Sequence, residues 1–383
     1  MTRLAGRLGG LFAIGLAAGV MSATVVPVVA SEAPSTQPRR GVRAAPVAQP
    51  LTRVVRTSAG EPFEAHRPVA ARPAAVTLAF GGDVMFGGMI APQLEADAAG
   101  LLDAVAPILR QADLAVVNLE TAITHRGTAE PKEYNFRAPP AGLTALRSAG
   151  VDVASLANNH GMDFGLVGLQ DTLEAARRKQ LPLIGAGVKA ATAYAPMATT
   201  IKGRRIAVLA ATQVMDSALL DRWPALRARP GLASAKWEHE QRLLAEVRVA
   251  RRHADIVVVY LHWGVEREVC PTVVQQDLAT RLVRAGADVI VGTHAHRLQG
   301  AGMLGKSLVA YGLGNFVFYT GPGASAESGV LLVTVDPRDE ISYEWKPARI
   351  EVGIPQPLTG AEARDATASW DALRGCTGLE ADE

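Results

Sequence analysis

The sequence predicts an α/β fold with buried strands, on three observations. Apolar runs such as Val76-Thr-Leu-Ala-Phe80, Asp113-Leu-Ala-Val-Val117 and Asp255-Ile-Val-Val-Val-Tyr-Leu261 are continuous rather than alternating. A strand covered on one face alternates apolar and polar residues, whereas one covered on both faces has no polar side to show. The runs also alternate with stretches of helical character. Finally, several runs end in side chains that carry chemistry, and open α/β sheets put their sites at the carboxyl ends of their strands.

In chain order, residues 1–30 read as an export signal. Arg3 and Arg7 precede an apolar stretch, and Val28-Val29-Ala30 presents small residues where a signal peptidase cuts. The apolar stretch is also near spanning length, so an uncleaved membrane anchor is the alternative. Residues 31–75 are rich in Pro, Ala and Arg without hydrophobic period and read as a disordered linker. The folded domain is expected over residues 76–352. Residues 91–111 read as largely helical, and a helix is expected from Pro140 to Gly150. Another is expected over 166–179, with strands at 183–186 and 206–211. Residues 213–236 lack a clean pattern and suggest a lid or insertion. Helices are expected at 237–252 and 272–285, and strands at 288–291, 307–311, 330–335 and 341–350. Residues 353–383 read as a tail of short helix or coil.

The 383 residues are about half apolar, enough for a sizeable core. The net charge of +2, less +2 in the first thirty residues and +4 in residues 31–75, leaves the rest at −4. That balance excludes a nucleic-acid footprint. The two cysteines, Cys270 and Cys376, suit either one disulfide of an exported protein or two separate thiols, and no zinc-type cysteine spacing exists.

The strand ends carry Asp83, Glu120, Asn159-His160, His262, and His294 with His296. Carboxylates, an amide oxygen and imidazoles together suit borderline divalent metals such as Mn, Zn or Fe. Thiolates are missing for a structural zinc site, and the imidazoles are too many for calcium. Alone, each residue has an ordinary role: Asp83 a helix cap, Glu120 a surface acid, His262 a core histidine, Asn159-His160 a turn. Their shared position at strand ends argues for a site. Two ions roughly 3.5–4 Å apart would clamp the oxygens of a displacement. Glu120 is the best-positioned bridge, and His160 is then free to protonate a leaving group. Arg137 reads either as a fork for an anionic group or as a surface residue. Glu266 is a candidate to orient a ligand histidine, and Asp163 to orient the turn.

Six motifs occur in order: Gly82-Asp83-Val-Met85, Asn118-Leu-Glu120-Thr, Ala157-Asn-Asn-His160 with Asp163-Phe-Gly165, His262-Trp-Gly-Val-Glu266, Gly286-Ala-Asp-Val-Ile-Val-Gly-Thr-His294-Ala-His296, and Leu313-Gly-Asn315-Phe316. Over residues 76–335 this pattern resembles the CapA-type family of bacterial capsule and poly-γ-glutamate synthesis proteins. The resemblance implies a metallophosphoesterase-like β-sandwich flanked by helices, with one or two divalent ions. It implies Asp83 on one metal, Glu120 as bridge, Asn159, His262 and His294 on the second metal, and His296 returning to the first. His160 would be the proton donor, and Asn315 lies in the last motif. Metallophosphoesterases carry a histidine two residues after the first Asp, where this chain has Met85, and they bridge with Asp rather than Glu. The first metal position is thereby poorer in ligands. Ala295 also replaces the proline common in the family's histidine motif.

The expected function is that of an exported protein, periplasmic, envelope-bound or secreted, with a hydrolase-like metal site in capsule or poly-γ-glutamate metabolism. Its partners would be an anionic surface polymer or precursor and a membrane synthesis or export complex. The alternatives are a non-catalytic polymer-binding or export accessory and a general periplasmic metallophosphodiesterase.

Overall fold

The structure is a computed structural model describing residues 74–382. The export signal and almost all of the linker lie outside the described residues.

Two sheets form the body. The first runs, edge to edge, through Ile354–Pro357, Ile341–Glu351, Glu327–Val335, Val76–Val84, Leu114–Leu119, Val153–Ser155 and Leu183–Ile184, with Asn315–Val317 pairing beside Val76–Val84. The second runs through Leu298–Leu304, Ser307–Leu313, Val289–Thr293, Ile256–His262, Arg204–Thr212 and Met197–Ile201. Val76–Val84, Leu114–Leu119 and Val153–Ser155 are parallel neighbours, as are Arg204–Thr212, Ile256–His262 and Val289–Thr293. Their carboxyl ends therefore point one way within each sheet.

The continuous apolar runs follow from the layering. Val76, Leu78 and Phe80 share one buried cluster with Ile206, Val208, Ile256, Val258 and Tyr260, so the sheets pack face to face. The alternate residues face outward into helix-covered layers. Ala79, Ala115 and Val117 cluster with Leu143 and Leu146 of the helix Ala141–Ala149 and with Leu169 of the helix Gly165–Lys179. Val257, Val259 and Leu261 cluster with residues of the helices His239–His253 and Val273–Ala285. Each central strand is thus covered on both faces, as its sequence requires. The fold is a β-sandwich flanked by helices.

In four places the structure differs from these expectations or adds to them. Residues 91–111 hold only the short helices Ala91–Ala96 and Ala106–Leu109. Between them the Asp97 carboxylate accepts the Gly100 amide at 2.9 Å and turns the chain, a bond that competes with the helical ladder. The expected strand at 183–186 is split into Leu183–Ile184 and Ala186–Gly187 by Gly185, whose φ is +80°. Met197–Ile201 and Leu298–Leu304 are strands without a strong apolar run, one alternating and one rich in small residues. Beyond residue 352 the chain holds the helix Gly360–Ala372, in line with a short helix, and adds the edge strand Ile354–Pro357 to the first sheet. That helix buries Trp370 against Trp345, with ring centroids 4.8 Å apart. The cysteines form a disulfide, Cys270–Cys376, with Cα atoms 5.7 Å apart.

Residues 213–236 pack onto the body rather than standing free. Gly231–Leu232 pairs with Ala186–Gly187, and Trp223 is buried.

Candidate metal centre

The side chains singled out in the sequence meet along the carboxyl edge of both sheets. Asp83 lies near the end of Val76–Val84, and Glu120 directly follows Leu114–Leu119. Asn159 and His160 follow Val153–Ser155, and His262 ends Ile256–His262. His294 and His296 follow Val289–Thr293.

Delivering Asp83 takes a close approach of backbones. A Cβ on Gly82 would lie 2.0 Å from the Gly314 carbonyl oxygen, so only glycine fits, and the Asp83 amide donates to that oxygen at 3.0 Å. The histidine turn is strained: His294 has φ +92° and His296 φ +51°, a region that side-chain-bearing residues avoid. Such strain persists only where surrounding contacts hold it, and it concentrates at functional sites.

The distances describe one compact cluster. Glu120 Oε1 lies 3.5 Å from His262 Nε2, 3.9 Å from His296 Nε2 and 3.9 Å from His160 Nε2. Asp83 Oδ2 lies 3.4 Å from His296 Nδ1. Asn159 Oδ1 is 2.7 Å from His262 Nε2. His296 Nδ1 donates to Asn315 Oδ1 at 2.7 Å, which turns Nε2 toward Glu120. Three groups have ligand atoms mutually within 4.8 Å and could each hold an ion: Glu120 with His262 and His294, Asp83 with Glu120 and His296, and Glu266 with His294 and His296.

These residues fit a cation by their own electrostatics. Glu120 is fully buried, yet among the described residues neither of its carboxylate oxygens has a hydrogen-bond partner, and His294 Nδ1 is likewise unpartnered. Buried polar atoms are ordinarily satisfied, so an unpartnered carboxylate facing imidazoles marks a missing positive charge. Burial, then the neighbouring Asp83, pushes the Glu120 carboxyl well above the usual range. Burial, then the other imidazoles, holds His262 well below its usual value and lowers His294 to about 3, leaving both as neutral donors. Burial opposes a charge on His296, but Glu120 and Asp83 raise it to about 10. Burial likewise raises Asp83, yet bonds from His296, the Asn118 amide and the His294 N–H bring it below its usual value.

His160 stands beside the cluster. Its Nδ1 lies 2.6 Å from Asp163 Oδ2, and its ring stacks on Phe136 at 3.9 Å between centroids. Burial lowers its basicity against the pull of Asp163. Asp163 also accepts the Phe136 amide at 2.5 Å, so one carboxylate ties the Asn159-His160 turn to the loop before Arg137. Arg137 itself is exposed, with its guanidinium 3.4 Å over the Phe164 ring, and belongs to none of the ion-holding groups. Its surface reading is the better one. Glu266 lies by His294 and His296 rather than by His262. Met85 is buried with Phe318, Ala326 and Ile350, and its sulfur accepts the Gly87 amide at 2.8 Å.

Three further residues tie the site together. Asn118 Nδ2 lies 2.8 Å from Asp83 Oδ1 and 3.1 Å from His262 Nδ1, bridging the sheets. Asn158 Nδ2 donates to Asn118 Oδ1 at 3.0 Å while its Oδ1 accepts the His160 amide at 2.9 Å. The Lys132 side chain is only 3% exposed. Its ammonium donates to Asp163 at 2.9 Å and to the Asn159 carbonyl, and pairs with Asp216 at 3.3 Å. The two asparagines were visible inside the motifs; Lys132 had no local signal at all.

Comparison with known proteins agrees with the motifs. The family profile "Bacterial capsule synthesis protein PGA_cap" matches residues 77–320. The chain is 30% identical over 287 residues to "PGA biosynthesis protein CapA" of Bacillus subtilis (strain 168), covering 74% of each chain. It is 29% identical over 262 residues to "Capsule biosynthesis protein CapA" of Bacillus anthracis, covering 67% of this chain and 63% of that one. Among solved structures, a putative 5'-nucleotidase from Staphylococcus aureus aligns at 19% identity and a TM-score of 0.43, over 77% of this chain and 58% of that one. Six motifs in order and a family match across most of the described residues lead to one conclusion: the chain belongs to the bacterial capsule synthesis protein (PGA_cap) family.

Proposed function

We propose that this protein is a metal-dependent hydrolase of the cell envelope that acts on a surface polymer, poly-γ-glutamate or a capsule precursor, by cleaving a phosphoester or an amide. The observation that carries the reading is the buried, unpartnered Glu120 carboxylate facing three imidazoles and Asp83. Asp83, Glu120 and His296 would hold one divalent ion, and Glu120, Asn159, His262 and His294 a second. The mixed oxygen and imidazole donor set favours Mn, Zn or Fe. A bound ion would polarise the scissile group and acidify water.

The chain's own residues supply the rest. Asp163 accepts from Nδ1 of His160 and thereby selects the tautomer whose Nε2 lone pair faces the centre. That nitrogen is the atom that takes up a proton and returns it to the leaving group. The stacked Phe136 ring keeps water from one face of the imidazole. Asn118 orients both Asp83 and His262 and so fixes the donors before anything binds.

The disulfide supports work outside the cytoplasm, since such bonds persist in oxidising compartments. A membrane synthesis or export complex and the anionic polymer are the partners this reading implies. A second reading, a polymer-binding accessory without turnover, draws on Met85, which packs into an apolar cluster where metallophosphoesterases carry a ligand histidine. Purified protein loaded with Mn, assayed on a γ-glutamyl amide and on an aryl phosphodiester, separates the readings. Turnover abolished by Asn159→Ala and by His160→Ala supports the hydrolase. Turnover of the phosphodiester alone favours a general metallophosphodiesterase. No turnover of either, with envelope polymer unaffected by His160→Ala in cells, leaves the accessory role.

A further inference from the structure

We infer that Glu266 is itself a ligand of the metal centre, closing it on its solvent side together with His294 and His296. The inference rests on the metal-centre reading above and adds a donor to it. Three observations carry it.

The first is proximity. A Glu266 carboxylate oxygen and one nitrogen each of His294 and His296 lie mutually within 4.8 Å. His296 also belongs to the Asp83–Glu120 group and His294 to the Glu120–His262 group, so Glu266 borders both candidate positions. The second is an unmet donor. His294 is 5% exposed, and its Nδ1 has no partner among the described residues. Glu266 makes neither an ion pair nor a side-chain hydrogen bond among the described residues, although it lies beside two imidazoles.

The third is that the loop delivering Glu266 is tied to the histidine turn on either side of Glu266, and to other parts of the fold further on. The Trp263 amide donates to the Thr293 carbonyl at 3.2 Å, and the Arg267 amide to the Ala295 carbonyl at 2.7 Å. Gln299 Nε2 donates to the Glu268 carbonyl at 3.0 Å, and Cys270 is bridged to Cys376. A solvated surface acid needs no such anchorage. A ligand does, because coordination holds only while donors keep their relative positions to within a fraction of an ångström. Met85 packs into an apolar cluster where metallophosphoesterases carry a ligand histidine, and Glu266, grouped with His294 and His296, offers a further donor to the centre.

The test uses the metal-free protein and the ions Mn²⁺ and Zn²⁺, titrated by calorimetry, with bound metal counted by mass spectrometry. Glu266→Gln keeps the size of the exposed side chain and removes the charge. Its metal-free melting temperature should equal that of the parent, one class of sites should bind about tenfold or more weakly or be lost, and Glu266→Asp should recover part of the loss. Equal stoichiometry and affinity within twofold for the parent and Glu266→Gln would overturn the inference. Glu120→Gln in the same series keeps the two ideas apart. If the parent binds and Glu120→Gln alone fails, Glu266 is no ligand but the centre stands. If the parent binds no metal, both fall.

Discussion

Replacing both Cys270 and Cys376 by serine tests the largest covalent constraint in the described residues. The bond joins positions separated by 106 residues and encloses the helix Val273–Ala285, the strand Val289–Thr293, the histidine turn and the helix Gly360–Ala372. In the chain-entropy account, opening a loop of that length returns about 16 cal/mol/K to the unfolded chain, or about 4.8 kcal/mol at 25 °C. Unfolding entropy is about 2.1 cal/mol/K per residue, so the roughly 310 described residues contribute about 0.65 kcal/mol/K. The melting temperature of the double variant should therefore fall by about 7 °C. Calorimetric melts of the parent, oxidised and reduced, beside the double serine variant measure it. The reduced parent should match the variant. Near-ultraviolet circular dichroism should stay unchanged at low temperature, because the Trp345–Trp370 stack keeps the last helix seated without the bridge. Oxidised and reduced melts that coincide within a degree or two would refute the reasoning.

Other predictions are independent of that bond. Lys132→Met removes a buried ammonium and leaves the buried Asp163 without its counter-charge, so chemical denaturation should show a loss of about 3–5 kcal/mol. Gly82→Ala drives a methyl group into the Gly314 carbonyl; the variant should lose Mn²⁺ uptake along with at least about 2 kcal/mol of stability, seen by calorimetry. Asp255, held down to about 2 chiefly by its bond to Arg205, contributes stability above its unfolded value, near 3.8, that is lost as pH falls through about 2. Because both partners are more than a third exposed, Asp255→Asn should cost below about 1 kcal/mol at pH 7 and progressively less as the pH falls toward 2, as read from urea midpoints.

What the sequence made legible is what repeats along it. Ile256 to Leu261 is apolar at every position because both of its faces are covered, and the same pattern marks every central strand. Asp83, Glu120, Asn159, His262, His294 and His296 were legible because each closes such a strand. Lys132 was not, since its burial depends on Asp163, Asp216 and Trp223, all more than thirty residues away or in a segment without periodicity. The break between residues 96 and 106 was hidden for a related reason: Ala, Leu and Glu favour helix locally, and a single Asp97 side chain decides against it. The cysteine pairing stayed open because spacing along the chain says nothing about spacing across a fold, where Cys376 comes back to the loop after His262.

The position of the strand Val76–Val84 has a consequence for the order of events during synthesis. It is the first strand among the described residues, yet its neighbours are Leu114–Leu119 on one side and Glu327–Val335 on the other, with Val76 opposite Val335. A ribosome adding about 5–20 residues per second needs roughly 13–50 s to make the intervening stretch. Throughout that time the strand that carries Asp83 has an open edge and no partner to close it. Sheets built from such distant pairings also form slowly once complete. A nascent chain with this register cannot close its first sheet until Glu327–Val335 is made, so the edge that gathers Asp83 with the histidines is completed only near the end of synthesis.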